Sequence, residues 1–174
     1  MANITGKRIV MIIAPKNFRD EELIHTREEL ERAGGIVTVA SQTTATAQGM
    51  FGAIAKPDIT IDQIRVDDFD AIVFVGGSGS EVYFNNSTAQ RIARDAYAKN
   101  KIVSAICIAP SILANASLLK GKRATVWAGD KYINILKSNG AKYTGESVTQ
   151  EGRIITANGP EAAREFGKTI VKNL

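Results

Sequence analysis

The only cysteine of the chain, Cys107, stands between a short apolar run, IVSAI, and a helical pattern that begins at Ile108. A thiol placed where a strand turns sharply into a helix is in position to act as a nucleophile. Ala105 and Ala109 lie two residues away on either side, and such a turn has room only for small side chains there. Backbone N–H groups at the helix start would face the sulfur, and the helix dipole would favour thiolate over thiol. A small buried apolar position would accept the same residue, as it does most lone cysteines. Glu22 sits one turn into the helix that follows the first strand, where a carboxyl group could tune a thiol or carry protons. Asp20, Glu21 and Glu22 also suit the positive end of a helix without further purpose. Gly76, Gly77 and Gly79 form a loop whose amides could approach a ligand closely and hold an oxyanion, although a plain tight turn has the same composition. His25 follows Glu22 by three residues on one helix face, but the helix carries it away from the strand ends, so packing or a subunit contact is expected of it. Trp127 either walls the pocket or fills the core.

The elements that must bring these residues together alternate along the chain. Residues 8–14 (RIVMIIA), 71–75 (AIVFV) and Ile102–Ile106 are continuously apolar, which marks strands buried on both faces, and 36–40 (IVTVA) is a further strand. Residues 20–33 carry charges at helical spacing and stop at Gly34-Gly35, while 87–100 reads as a crossover helix and 108–116 as another. Strand–helix–strand repeats of this kind predict a parallel sheet with helices on both faces, a flavodoxin-like three-layer α/β/α sandwich. Residues 42–61 predict a small hairpin and loop, and 147–157 a second hairpin feeding a last strand. Gly159-Pro160 then opens a C-terminal helix. In such sheets ligands bind beyond the carboxyl ends of the strands at a topological switch point. Residues 15–22, 76–81 and 107–110 should converge there.

Composition narrows the function classes. The 174 residues suit one domain, with 44% hydrophobic and 23% charged residues and a net charge of +4. The basic residues are scattered and aromatics make up only 6%, which argues against nucleic acid as a partner. No apolar stretch approaches the ~20 residues of a membrane span. One cysteine excludes an intramolecular disulfide, and one histidine speaks against a His-based metal site. The start, MANITGKR, runs directly into a strand pattern without the regions of a signal peptide, so a reducing, cytoplasmic setting is expected. Neither phosphate-binding glycine motif fits, since Val82 and Ala116 occupy positions that would have to be glycine.

The sequence resembles the ThiJ/PfpI family, a cysteine-dependent group of the class I glutamine-amidotransferase-like superfamily. The resemblance runs from RIVMIIAP to EFGKTIVKNL and is carried by FRDEEL, FVGGSGSE, SAICIAPSILANASLLKGKRAT and ITANGP. It implies the flavodoxin-like sandwich and a homodimer or higher homo-oligomer. It further implies Cys107 as nucleophile, Glu22 hydrogen-bonded to it, and an anion pocket made by the N–H groups of Gly77 and Ile108. The peptidase branch of the family places a histidine directly after the cysteine, where this chain has Ile108. Glu81 matches the acidic residue that orients that histidine, and here it has none to orient. The protein-deglycase branch also lacks the adjacent histidine and is the nearer guide, although it carries a histidine near the pocket where Trp127 stands.

The expected function is therefore cofactor-free glyoxalase or deglycase chemistry on small reactive aldehydes or glycated substrates, with no metal. Two alternatives use the same cysteine. One is an oxidation-sensing or chaperone-like stress protein, and the other an intracellular cysteine peptidase, which Ile108 disfavours.

Overall fold

The computed structural model describes residues 2–174. The chain enters through β1 (Arg8–Ile12), which is buried on both sides from Ile9 onward, as its unbroken apolar run requires. A short β2 (Lys16–Phe18) precedes α1 (Asp20–Arg32), which leads to β3 (Ile36–Ser41). β4 (Ala47–Gly49) and β5 (Ile54–Ala55) form the expected hairpin, and β6 (Ile59–Thr60) rejoins the main sheet. Then come β7 (Ala71–Phe74), α2 (Ser87–Ala98), β8 (Ile102–Ile106) and α3 (Pro110–Asn115). The last third holds β9 (Arg123–Ala124), α4 (Asp130–Ser138) and β10 (Lys142–Tyr143), followed by the hairpin of β11 (Val148–Glu151) with β12 (Ile154–Ala157) and finally α5 (Ala163–Lys172).

The main sheet runs β11-β12-β8-β7-β1-β3-β6, and only β11 is antiparallel to its neighbour. The crossover from β1 to β3 moves along the sheet in one direction and that from β7 to β8 in the other. Because both crossovers are right-handed, opposite travel puts α1 and α2 on opposite faces. α5 packs on α1, while α3 packs on α2 and α4, completing the two outer layers. The flavodoxin-like α/β/α sandwich is the observed fold. The two crossovers diverge between β1 and β7, which pair in register from Ile9 with Ala71 to Ile12 with Phe74. That gap is the topological switch point.

Three local differences from the sequence reading bear on the site. Residues 15–18, expected as a turn, include β2, which pairs in parallel with β4 of the excursion beyond β3. The buried Asp20 carboxylate ties the same excursion down, accepting the amides of Phe51 at 3.0 Å and Ala53 at 2.8 Å. Residues after Gly77 wind into a 3-10 turn, Ser78–Tyr83, rather than an open loop. The helix expected from Ile108 starts only at Pro110, because residues 107–109 are used in the turn itself. Among the described residues no helix is long and apolar enough to cross a membrane, and no group of three or more His, Cys, Asp or Glu could hold a metal ion.

Candidate active site

β8 ends at Ile106, and the chain reverses through Cys107, whose φ of 66° is left-handed. That conformation costs a non-glycine residue about 1–2 kcal/mol and needs surrounding bonds to impose it. Both sides of the residue supply them: its N–H donates to the Ala157 carbonyl at 2.9 Å, and its carbonyl accepts the Trp127 N–H at 2.8 Å. Ala105 and Ala109 are completely buried, so neither position has room for a larger side chain. The elbow read from the sequence is present. Its thiol is nearly covered, with 8% of the residue exposed.

Glu22 reaches this turn from the first turn of α1 and is wholly buried. Its Oε1 accepts the Gly76 N–H at 2.9 Å, while Oε2 has no hydrogen-bond partner among the described residues. Gly76 lets the carboxyl and the thiol meet. A Cβ there would lie 2.5 Å from the Cys107 Cβ, 2.5 Å from Glu22 Oε1 and 2.6 Å from the Ile106 carbonyl oxygen. Gly77 has a φ of 100°, and a side chain on it would collide with the Arg19 amide. The three loops expected at the switch point do converge.

Burial raises the Glu22 carboxyl to about 8, against the weaker pull of the neighbouring Cys107 thiol and the Gly76 N–H. At neutral pH it is mostly protonated. Burial also pushes the Cys107 thiol up, to about 12, assisted by the charge of an ionised Glu22. The amides of Gly77 and Ile108 act in the other direction. The expected thiolate preference is therefore corrected: the helix behind the elbow has only six residues, and desolvation outweighs its contribution. Protonation of Glu22 removes the charge that opposes a thiolate. It also leaves a carboxylic O–H for the sulfur to accept.

The remaining residues divide. Trp127 is 43% exposed and walls a cleft of about 380 Å³ with Arg19, Asn158 and Glu161, so it does not fill the core. Its ring packs over Gly159, where a Cβ would lie 3.0 Å away. His25 lines a neighbouring cleft with Glu21, Glu161 and Arg164. It is the chain's only histidine, and it is not among the hydrogen-bond partners of Cys107 or Glu22. Glu81 is taken by Lys131 in a solvent-facing ion pair of 2.5 Å. Arg19 was not singled out in the sequence, yet it borders both clefts. Its N–H donates to the Gly76 carbonyl at 2.9 Å, its Nε to Glu21 at 2.6 Å, and its guanidinium stacks 4.7 Å from the centre of the Phe51 ring. A cation inside a loop already expected at the switch point was the available signal.

Comparison with known proteins bears on the family and the fold. The DJ-1/PfpI family model matches residues 7–173. An uncharacterized protein of Methanocaldococcus jannaschii is 43% identical over 171 residues, 98% of this chain and 83% of the relative. Deglycase PfpI of Pyrococcus furiosus is 31% identical over 167 residues, 95% of this chain and 98% of that protein. The crystal structure of a ThiJ/PfpI domain protein from Brachyspira murdochii superposes with a TM-score of 0.92 at 31% identity, covering 96% of each chain. With the family model spanning nearly every residue and the same architecture in a solved relative, the chain belongs to the DJ-1/PfpI family.

Proposed function

We propose that this protein is a cysteine-dependent enzyme acting on small α-oxoaldehydes, or on the early adducts they form, without a cofactor. The observation that carries this reading is the meeting of a strained, left-handed Cys107 with the buried carboxyl of Glu22 across Gly76. Relatives named as deglycases support it. The resting pair holds both protons, and the reactive form is the minor one that keeps the proton on Glu22 and places the charge on sulfur, facing the amides of Gly77 and Ile108. Sγ attacks the aldehyde carbon, and Glu22 gives its proton to the aldehyde oxygen, forming a hemithioacetal. The resulting carboxylate takes the C–H proton from that carbon, and the electron pair moves into an enediolate. Glu22 then protonates the neighbouring carbon, and the hydroxyl proton passes from the first oxygen to the second. The product is the thioester of a 2-hydroxy acid. Water cleaves it, the S–C bond breaks, and the pair recovers its proton. One carbon is oxidised as its neighbour is reduced, so methylglyoxal and water give lactate with no external redox partner.

Lactate formation from methylglyoxal is the test, with Cys107→Ser and Glu22→Gln as controls at matched folding. Turnover lost in both variants supports nucleophile and proton carrier alike; turnover surviving in Cys107→Ser overturns them.

A second reading, an oxidation sensor, draws on the amides of Gly77 and Ile108, which would hold a sulfinate as readily as an oxyanion. Mass spectrometry after mild peroxide decides it, since an unmodified Cys107 ends that reading. A homodimer or larger assembly is part of the proposal. Ile24 and Ile54 line one surface cleft while 41% and 66% exposed, and Phe51 nearby in the chain is 68% exposed. Light scattering at micromolar protein checks it.

A further inference from the structure

Arg19 is held as a binding group would be. Its backbone is fixed by the bond to the Gly76 carbonyl, directly beside the Cys107–Glu22 contact. The Phe51 ring lies against the guanidinium, and Glu21 occupies only Nε. Both Nη atoms lack a partner among the described residues, although the side chain is only 26% exposed. The guanidinium therefore has its orientation set, and its outer fork is open. It borders the cleft that Trp127 and Asn158 also line, and the Trp127 backbone N–H bonds to the nucleophile's own carbonyl. The Arg19 charge also reaches the elbow, since it acts on the titration of Glu22. Fork-shaped, planar and always charged, a guanidinium so presented matches a carboxylate.

We propose that Arg19 is a specificity-determining residue, and that the aldehydes taken by Cys107 carry a carboxylate, which the free Nη fork of Arg19 holds. The proposal rests on Cys107 as the nucleophile. It assigns the preferred substrate within the aldehyde reading as an acidic α-oxoaldehyde, such as 4,5-dioxopentanoate. That compound and water would give 2-hydroxyglutarate through the same steps that turn methylglyoxal into lactate. Glu161, also on the cleft wall and exposed, opposes any anion there, so the Arg19 fork has to outweigh it.

Two reagents with the same leaving group separate recognition from turnover. Iodoacetate carries a carboxylate and iodoacetamide does not, and the chain has a single thiol, so the ratio of their alkylation rates reads anion selection at Cys107. The thiolate fraction cancels from that ratio. In the wild type the ratio should exceed that of free cysteine, and in Arg19→Gln it should fall about tenfold, the worth of one charge-assisted pair. Arg19→Lys, which keeps the charge and the stack but not the fork, should fall between them. The kcat/KM preference for 4,5-dioxopentanoate over methylglyoxal should shrink in the same order. Equal alkylation ratios in wild type and Arg19→Gln, with both folded by circular dichroism, overturn the proposal. If neither aldehyde turns over while the alkylation ratio still depends on Arg19, the aldehyde reading fails and the anion site stands.

Discussion

Glu22 Oε1 and the Cys107 Cβ flank Gly76, each 2.5 Å from the point where a side chain on that glycine would begin. The Ile106 carbonyl oxygen closes the third side at 2.6 Å, and as backbone it cannot swing away. Gly76→Ala should therefore push the carboxyl and the thiol apart. A loss of about 1–3 kcal/mol in urea unfolding is expected, together with a fall in the Cys107 alkylation rate. Wild-type values for both would mean that the contact is looser than these distances imply.

The backbone at Cys107 supplies a separate test. Its φ of 66° suits glycine and strains any residue with a Cβ. Cys107→Gly should be more stable than Cys107→Ala by about 1 kcal/mol, the reverse of the usual order for the two residues. Thermal or urea unfolding of the pair measures this directly. Both variants should be inactive.

The Glu22 carboxyl links stability to pH. Its ordinary value is 4.5, and burial lifts it to about 8 in the folded protein. Between those values the unfolded chain has released a proton that the native one keeps, so the Glu22 contribution to stability falls as pH rises through that window and is constant above it. The full effect is of order 5 kcal/mol if nothing relaxes. Urea unfolding at several pH values should show this slope in the wild type and a much flatter line in Glu22→Gln.

Glu81 should be dispensable. Its pairing with Lys131 is solvent-facing, and such pairs are worth about 0–1 kcal/mol. Glu81→Gln should keep methylglyoxal turnover at the wild-type rate and unfold within that margin. A large loss of turnover would show a role that the ion pair conceals.

The main strands and the elbow were legible because their signals are local. β1, β7 and β8 are apolar runs that could be buried only on both faces, and small residues flank Cys107. The parts that were not legible depend on distant chain. Lys16–Phe18 carries no strand pattern and becomes β2 only because β4 returns to pair with it. Asp20 looked like one of three acids at a helix start, yet its carboxylate is spent on the amides of Phe51 and Ala53. Arg19 takes its setting from distant chain, with Phe51 against it and the Trp127 cleft beside it. The sign of the Cys107 shift depends on how completely neighbouring layers cover the sulfur, which no local pattern encodes.

The solitude of Cys107 has a consequence for damage and recovery. A chain with one thiol has no second sulfur to condense with a sulfenate, so no disulfide exit exists within the chain. Rescue must come from a thiol delivered from outside, through an opening that leaves 8% of the residue uncovered. Small thiols can make that approach more readily than protein ones. Past the sulfenate a thiol no longer restores the residue, so the oxidative history of a population of these molecules is written at one atom.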